Sequence, residues 1–148
     1  MQASVNHVVD DVPVEQVWAR LQADPTAILI DVRTRAEWNF VGTPDLSALS
    51  RKPVLIEWQS FPDGSLNAAF LDQLVAKLDE LGADHETELF FICRSGARSR
   101  HAANAAADAN YKKCHNVAEG FEGPLDPNSH QRGHSAGWQA AGLPWTQG

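Results

Sequence analysis

Short apolar runs alternate with amphipathic stretches along most of the chain. Ala27 to Ile30, Val54 to Trp58, Leu89 to Ile92 and Cys114 to Ala118 each have the length of a buried strand, and Val5 to Val9 is a short candidate first strand. Between these runs the period lengthens. Val14, Val17, Trp18 and Leu21 recur at helical spacing behind Pro13, a residue suited to a first helical turn. From Asn67 to Leu81, the residues Phe70, Leu71, Leu74, Val75, Leu78 and Leu81 line one helical face, with Gly82 as a natural stop after the turn residues Pro62-Asp-Gly64 upstream. Ala102 to Ala109 reads as another helix. Strand and helix signals in alternation predict an α/β fold, an open parallel sheet of about five strands flanked by helices on both faces. No repeat, low-complexity tract or long linker divides the chain, so 1–148 is expected to be one domain.

The strand at Leu89 to Ile92 ends on Cys93 and opens into Arg94-Ser-Gly-Ala-Arg-Ser-Arg100 before the Ala-rich helix. Cys93 therefore sits at a strand-to-helix turn. Backbone N–H groups at a helix start lack intrahelical partners and carry the positive end of the peptide dipoles, so they favour a thiolate or a bound anion. Arg94, Arg98 and Arg100 add positive charge, Ser95 and Ser99 add hydroxyl donors, and Gly96 permits a positive φ that turns successive N–H groups inward. A cysteine in this setting is expected to be nucleophilic near neutral pH.

These residues resemble those of a single-domain rhodanese, a sulfurtransferase. Ile30-Asp-Val-Arg33 followed by Glu37-Trp38 is similar to the family's motif after its second core strand, and Cys93-Arg-Ser-Gly-Ala-Arg98 is similar to its active-site loop. Gly120-Phe-Glu-Gly123, Gly137-Trp138 and Leu143-Pro-Trp145 resemble its C-terminal end. Phe40 to Leu46 departs from the His-Ile-Pro-Gly-Ala-like segment that the family often carries, so contacts from that segment are not carried over. The resemblance implies a rhodanese-like sheet and a Cys93 persulfide, formed from a small anionic donor such as thiosulfate and discharged to a thiol, cyanide or a thioredoxin-like protein. The loop Arg94, Ser95, Gly96, Ala97, Arg98 and Ser99 would bind the substrate, with Arg98, and secondarily Arg94, on the donor's sulfonate. Asp31, Arg33 and Trp58 would support it, and no metal or cofactor is implied.

Loop length bears on the alternatives. Phosphatases that use a cysteine and arginine cradle resemble one another in five residues between the two. Here the arginine falls one place early, at Arg98, and Ser99 takes the sixth position. A smaller ring aims its donors poorly at a phosphoryl group. Phosphatase or arsenate reductase is the alternative enzyme reading, and a binding module without catalysis is the other. Mercaptopyruvate-using members resemble a Gly-Ser-Gly loop of lower charge, so two arginines favour thiosulfate.

The remaining features add detail. Asp31 is expected either to pair with an arginine or accept loop N–H groups, or to be a helix cap; Arg33 and Glu37 stand four apart, as in a helical ion pair. Trp38 and Trp58 are candidates for the pocket wall, although aromatic residues more often fill cores. Cys114 opens the last strand and is expected at the opposite edge of the sheet from Cys93, as a buried thiol without chemistry. The stretch from Gly123 to Gly137 is long for a connection and is expected to border the site; its His130 and His134 form only a weak metal signal. A net charge of −7 argues against nucleic acid. Two cysteines, no basic-then-apolar N-terminal pattern and no run of membrane length point to a cytoplasmic enzyme.

Overall fold

Five parallel strands form one sheet: β1 (Asp10–Val12), β2 (Ile28–Asp31), β4 (Val54–Leu55), β5 (Glu88–Ile92) and β6 (Lys113–Val117). Their spatial order is β1-β6-β5-β2-β4, and β3 (Thr43–Pro44) pairs separately with β7 (Trp145–Thr146) as an antiparallel ribbon. The helices are α1 (Val14–Ala23), α2 (Arg35–Phe40), α3 (Phe70–Glu80) and α4 (Ala97–Asp108). The computed structural model describes residues 9–60, 63–133 and 135–147.

Alternation along β5 builds both halves of the core. Leu89, Phe91 and Cys93 join one buried cluster with Phe70, Leu74 and Leu78 of α3 and with Ala102, Ala103, Ala106 and Ala107 of α4. Phe90 and Ile92 point the other way, into a cluster with Val14, Val17 and Leu21 of α1 and with Phe121 and Trp138. Each fully buried leucine on these faces contributes roughly 1.5–3 kcal/mol relative to an exposed one. Small alanines let α4 lie close to the sheet, and this places its N-terminus over the end of β5.

Several element boundaries differ from those expected. The strand read at Val5 to Val9 lies outside the described residues except for Val9, which is in no strand; the first strand observed starts at Asp10. Only Val54–Leu55 forms a regular ladder with β2, yet pairing continues as Ile56 N–H donates to Asp31 O and Trp58 N–H to Val32 O, both at 3.1 Å. The α3 face is narrower than its apolar residues suggest. Leu71 is 37% exposed, and Leu81, which lies past the last helical residue, is 51% exposed. Pro62 of the expected turn is outside the described residues, while Gly64 takes a positive φ there.

Candidate active site

Parallel strands deliver their carboxyl ends to one edge of the sheet, and the register brings Asp31 level with Ile92, one residue before Cys93. The loop from Cys93 closes onto α4 through Gly96, whose φ of 111° lies in the left-handed region. That turn points the Gly96 N–H at Cys93 Sγ, 3.1 Å away, while Ser99 Oγ lies 3.2 Å from the same sulfur. Cys93 keeps only 1% of its surface accessible. The sulfur is therefore screened from bulk water at the floor of the loop.

The turn after β6 latches the loop from behind. Phe121 N–H donates to Cys93 O at 2.8 Å, and the N–H groups of Glu122 and Gly123 both donate to Arg94 O at 3.0 Å. Gly120 fits because it has no side chain: a Cβ there would lie 2.4 Å from Cys93 O. The segment from Gly123 to Gly137 is tied to this latch, since Gly133 N–H donates to Glu122 O and Arg132 Nη1 to Gly123 O. His134 is outside the described residues, and among those described no cluster of three metal-ligating side chains exists.

The arginines are arranged differently from the sequence expectation. Arg98 makes a two-pronged ion pair with Glu37, Nη1 to Oε1 at 2.7 Å and Nη2 to Oε2 at 3.0 Å. One N–H of each terminal nitrogen is committed to Glu37, so Arg98 braces the loop against α2. Arg100 turns outward to pair with Asp11. Arg94 lies exposed at the loop and forms no ion pair among the described residues. Ser95 and Ala97 are exposed beside it, whereas Ser99 is buried.

Arg33 does not pair with Glu37. Thr34 caps α2 in a reciprocal capping box with Glu37, so Arg33 precedes the helix and the four-residue spacing has no helical meaning. Instead Arg33 is fully buried against Asp31, with Nη2 to Oδ2 at 2.7 Å and Nε to Oδ1 at 3.0 Å. Its Nη2 also donates to Gly42 O at 2.7 Å, and its guanidinium lies 4.3 Å from the Phe121 ring centre. Asp31 in turn accepts the Arg33 backbone N–H at 3.1 Å. Trp58 is partly buried, meets Phe70 edge-on with centroids 5.0 Å apart, and packs against the apolar cluster that contains Cys93. Cys114 stands level with Leu89 at the far end of β5, donates to Tyr111 O, and is pushed up to about 12 by burial.

Sequence reasoning missed Glu37 as the partner of Arg98 and Asn116 as a buried neighbour of Ser99. The Thr34-x-x-Glu37 pattern marks Glu37 as the capping residue of α2 but does not name Arg98, while a polar residue within a buried strand would have drawn attention to Asn116. Burial opposes the Glu37 charge, but bonds from Arg98 and the Thr34 N–H outweigh it and hold the carboxyl at about 2, below its ordinary 4.5. A depressed carboxylate stabilises the fold fully above about pH 4.5 and loses that contribution as pH falls toward about 2. Glu37→Gln is accordingly expected to melt below the wild type at neutral pH, with the gap closing over that acid window. A constant gap in thermal melts from neutral pH to pH 2 contradicts the assignment.

The parallel sheet with its cysteine loop at the carboxyl edge is a rhodanese-like α/β fold. The chain belongs to the STR4 middle domain family, whose model matches residues 10–148. The crystal structure of Rv0390 from M. tuberculosis is similar at a TM-score of 0.84 and 43% identity, covering 97% of this chain and 100% of that one. An uncharacterized protein of Rickettsia conorii is 37% identical over 125 residues, 84% of this chain and 87% of its own length. Rhodanese-like domain-containing protein 4 of the Arabidopsis thaliana chloroplast is 25% identical over 133 residues, 90% of this chain but 25% of that protein. The polysulfide-sulfur transferase homodimer of Wolinella succinogenes shares the fold, at a TM-score of 0.58 and 22% identity over 95% of this chain and 80% of that one. Among the described residues no helix is long and apolar enough to cross a membrane.

Proposed function

We propose that this protein is a single-domain rhodanese acting in the cytoplasm as a thiosulfate sulfurtransferase. The observation that carries this reading is the placement of Cys93 Sγ, at the end of β5, inside a loop whose Gly96 N–H already donates to it at 3.1 Å. The Cys93 thiolate attacks the outer sulfur of thiosulfate; the new sulfur–sulfur bond forms as the bond to the sulfonate sulfur breaks, and sulfite leaves with the electron pair. A second thiolate or cyanide then takes the outer sulfur and returns Cys93 as thiolate. Inward N–H groups at the start of α4 hold the anionic persulfide. Arg94 would receive the donor's sulfonate, a role supported by its being exposed and outside the ion pairs among the described residues, and Arg98 keeps the loop in shape through Glu37.

The short loop supports sulfur over phosphoryl transfer, because its last arginine comes one residue early and is held by a carboxylate. Incubation with thiosulfate and cyanide is expected to yield thiocyanate, and incubation with an aryl phosphate is expected to release no phosphate. Phosphate release without thiocyanate supports the phosphatase reading instead. Neither product supports a binding module.

A further inference from the structure

The hydrogen-bonded chain around Cys93 continues inward and then out to the surface. Ser99 Oγ lies 3.2 Å from Cys93 Sγ and 2.5 Å from Asn116 Oδ1, and all three residues are buried. A hydroxyl carries one proton, so Ser99 donates to only one of these neighbours at a time. The orientation of Asn116 decides which. Its Nδ2 lies 2.9 Å from Asp11 Oδ1 and 3.1 Å from Gly96 O. A carboxylate and a carbonyl only accept, so the amide nitrogen faces them and the amide oxygen faces Ser99. A buried amide oxygen needs a donor, and Ser99 supplies it. The Ser99 proton is thus drawn to the amide oxygen, and an oxygen lone pair is left facing sulfur. A thiol can donate to that lone pair; a thiolate is repelled by it.

We propose that Asn116, anchored by Asp11, is a positioning residue that holds the Ser99 hydroxyl turned away from Cys93 and so withholds a hydrogen bond from the resting nucleophile. Donation to sulfur requires the Ser99 proton to swing away from Asn116, which strips the buried Asn116 oxygen of its donor. The outer end of this arrangement is a half-exposed ion pair between Asp11 of β1 and Arg100 of α4. A surface contact on an edge strand thereby governs a sulfur at the centre of the sheet. The inference deepens the reading of Cys93 as nucleophile and rests on it. Other charges on the elements packed about the loop are Arg98 of α4 with Glu37 of α2, Asp31 with Arg33 after β2, Arg94 in the loop and Glu122 after β6. Among the described residues none of these hydrogen-bonds the Ser99 hydroxyl or the Asn116 amide.

The test is the rate of Cys93 alkylation by iodoacetamide as a function of pH, read at the Cys93 peptide by mass. In that reaction a carbon–sulfur bond forms, iodide leaves and the thiol proton goes to solvent, with no sulfur donor involved. Asn116→Ala frees Ser99 to donate to sulfur and is expected to raise the rate on the acidic limb about tenfold, the equivalent of one net hydrogen bond, and to move the midpoint of the profile down. In a Ser99→Ala background the same change is expected to give no gain. Asp11→Asn, at the exposed end, is expected to act in the same direction to a smaller extent, and serves if Asn116→Ala does not fold. Its effect in the Ser99→Ala background separates loss of a charge from loss of the anchor. A profile that coincides with the wild type, or a gain that persists without Ser99, overturns the proposal. Because alkylation proceeds whether or not the protein transfers sulfur, a shifted profile in a protein that makes no thiocyanate sinks only the sulfurtransferase reading.

Discussion

Replacing Cys93 by alanine is expected to reduce sulfur transfer from thiosulfate to cyanide to less than about one-thousandth of the wild-type rate, because no other atom can carry the covalent intermediate. Cys114 does not substitute for it: that thiol is buried at the other end of the sheet and is pushed up to about 12. The fold is expected to survive. The substitution removes one buried sulfur from the cluster shared with α3 and α4, at a cost of roughly 1 kcal/mol, which for a chain of this length lowers the melting temperature by about 2–4 °C. Loss of transfer together with a near-normal melt separates chemistry from folding. Retained transfer in this variant removes Cys93 from the mechanism.

The second large effect concerns stability. Arg33→Met is expected to destabilise the fold by roughly 3–5 kcal/mol, because it leaves the Asp31 carboxylate buried without its countercharge. The Gly42 carbonyl also loses its donor and the Phe121 ring loses the guanidinium above it. At this chain length the loss corresponds to a fall in melting temperature of about 6–20 °C. Adding Asp31→Asn to Arg33→Met is expected to recover part of the loss, since the uncompensated charge is then gone. Thermal melts of the wild type, the single and the double variant decide the matter. A single variant as stable as the wild type, or a double variant less stable than the single, contradicts the account of this pair.

What was readable in the sequence was what local pattern controls. The β5 strand, the break at Cys93 and the helix behind it follow from a buried apolar run, a left-handed glycine and an alanine-rich stretch, all within about twenty residues of one another. The order of strands and helices implied the parallel sheet, and Cys114 falls at the far edge because it begins a parallel strand whereas Cys93 ends one. The pairing of charges was not readable in the same way. Glu37 meets Arg98 across 61 residues of sequence, and nothing in either neighbourhood names the other. The expected Arg33–Glu37 pair failed for a local reason that was visible: Thr34 caps the helix, so only Glu37 is inside it.

The same distinction explains the arginines of the loop. Counting three of them near Cys93 gives the sign of the local charge but not its availability, because α2 takes Arg98 and β1 takes Arg100. Arg94 stays exposed and outside the ion pairs among the described residues. Asn116 was hidden for a related reason: its role depends on Asp11, brought beside it by the pairing of β1 with β6. Polar residues inside buried strands are where sequence pattern fails most often, since their partners come from elsewhere in the sheet.

The most direct test of the central claim is the intact mass of the protein after brief exposure to thiosulfate, compared between the wild type and Cys93→Ala. The account predicts a gain of about 32 Da, one sulfur held as a persulfide, that is removed by cyanide and absent from the variant. No gain in the wild type, or an equal gain in the variant, contradicts it.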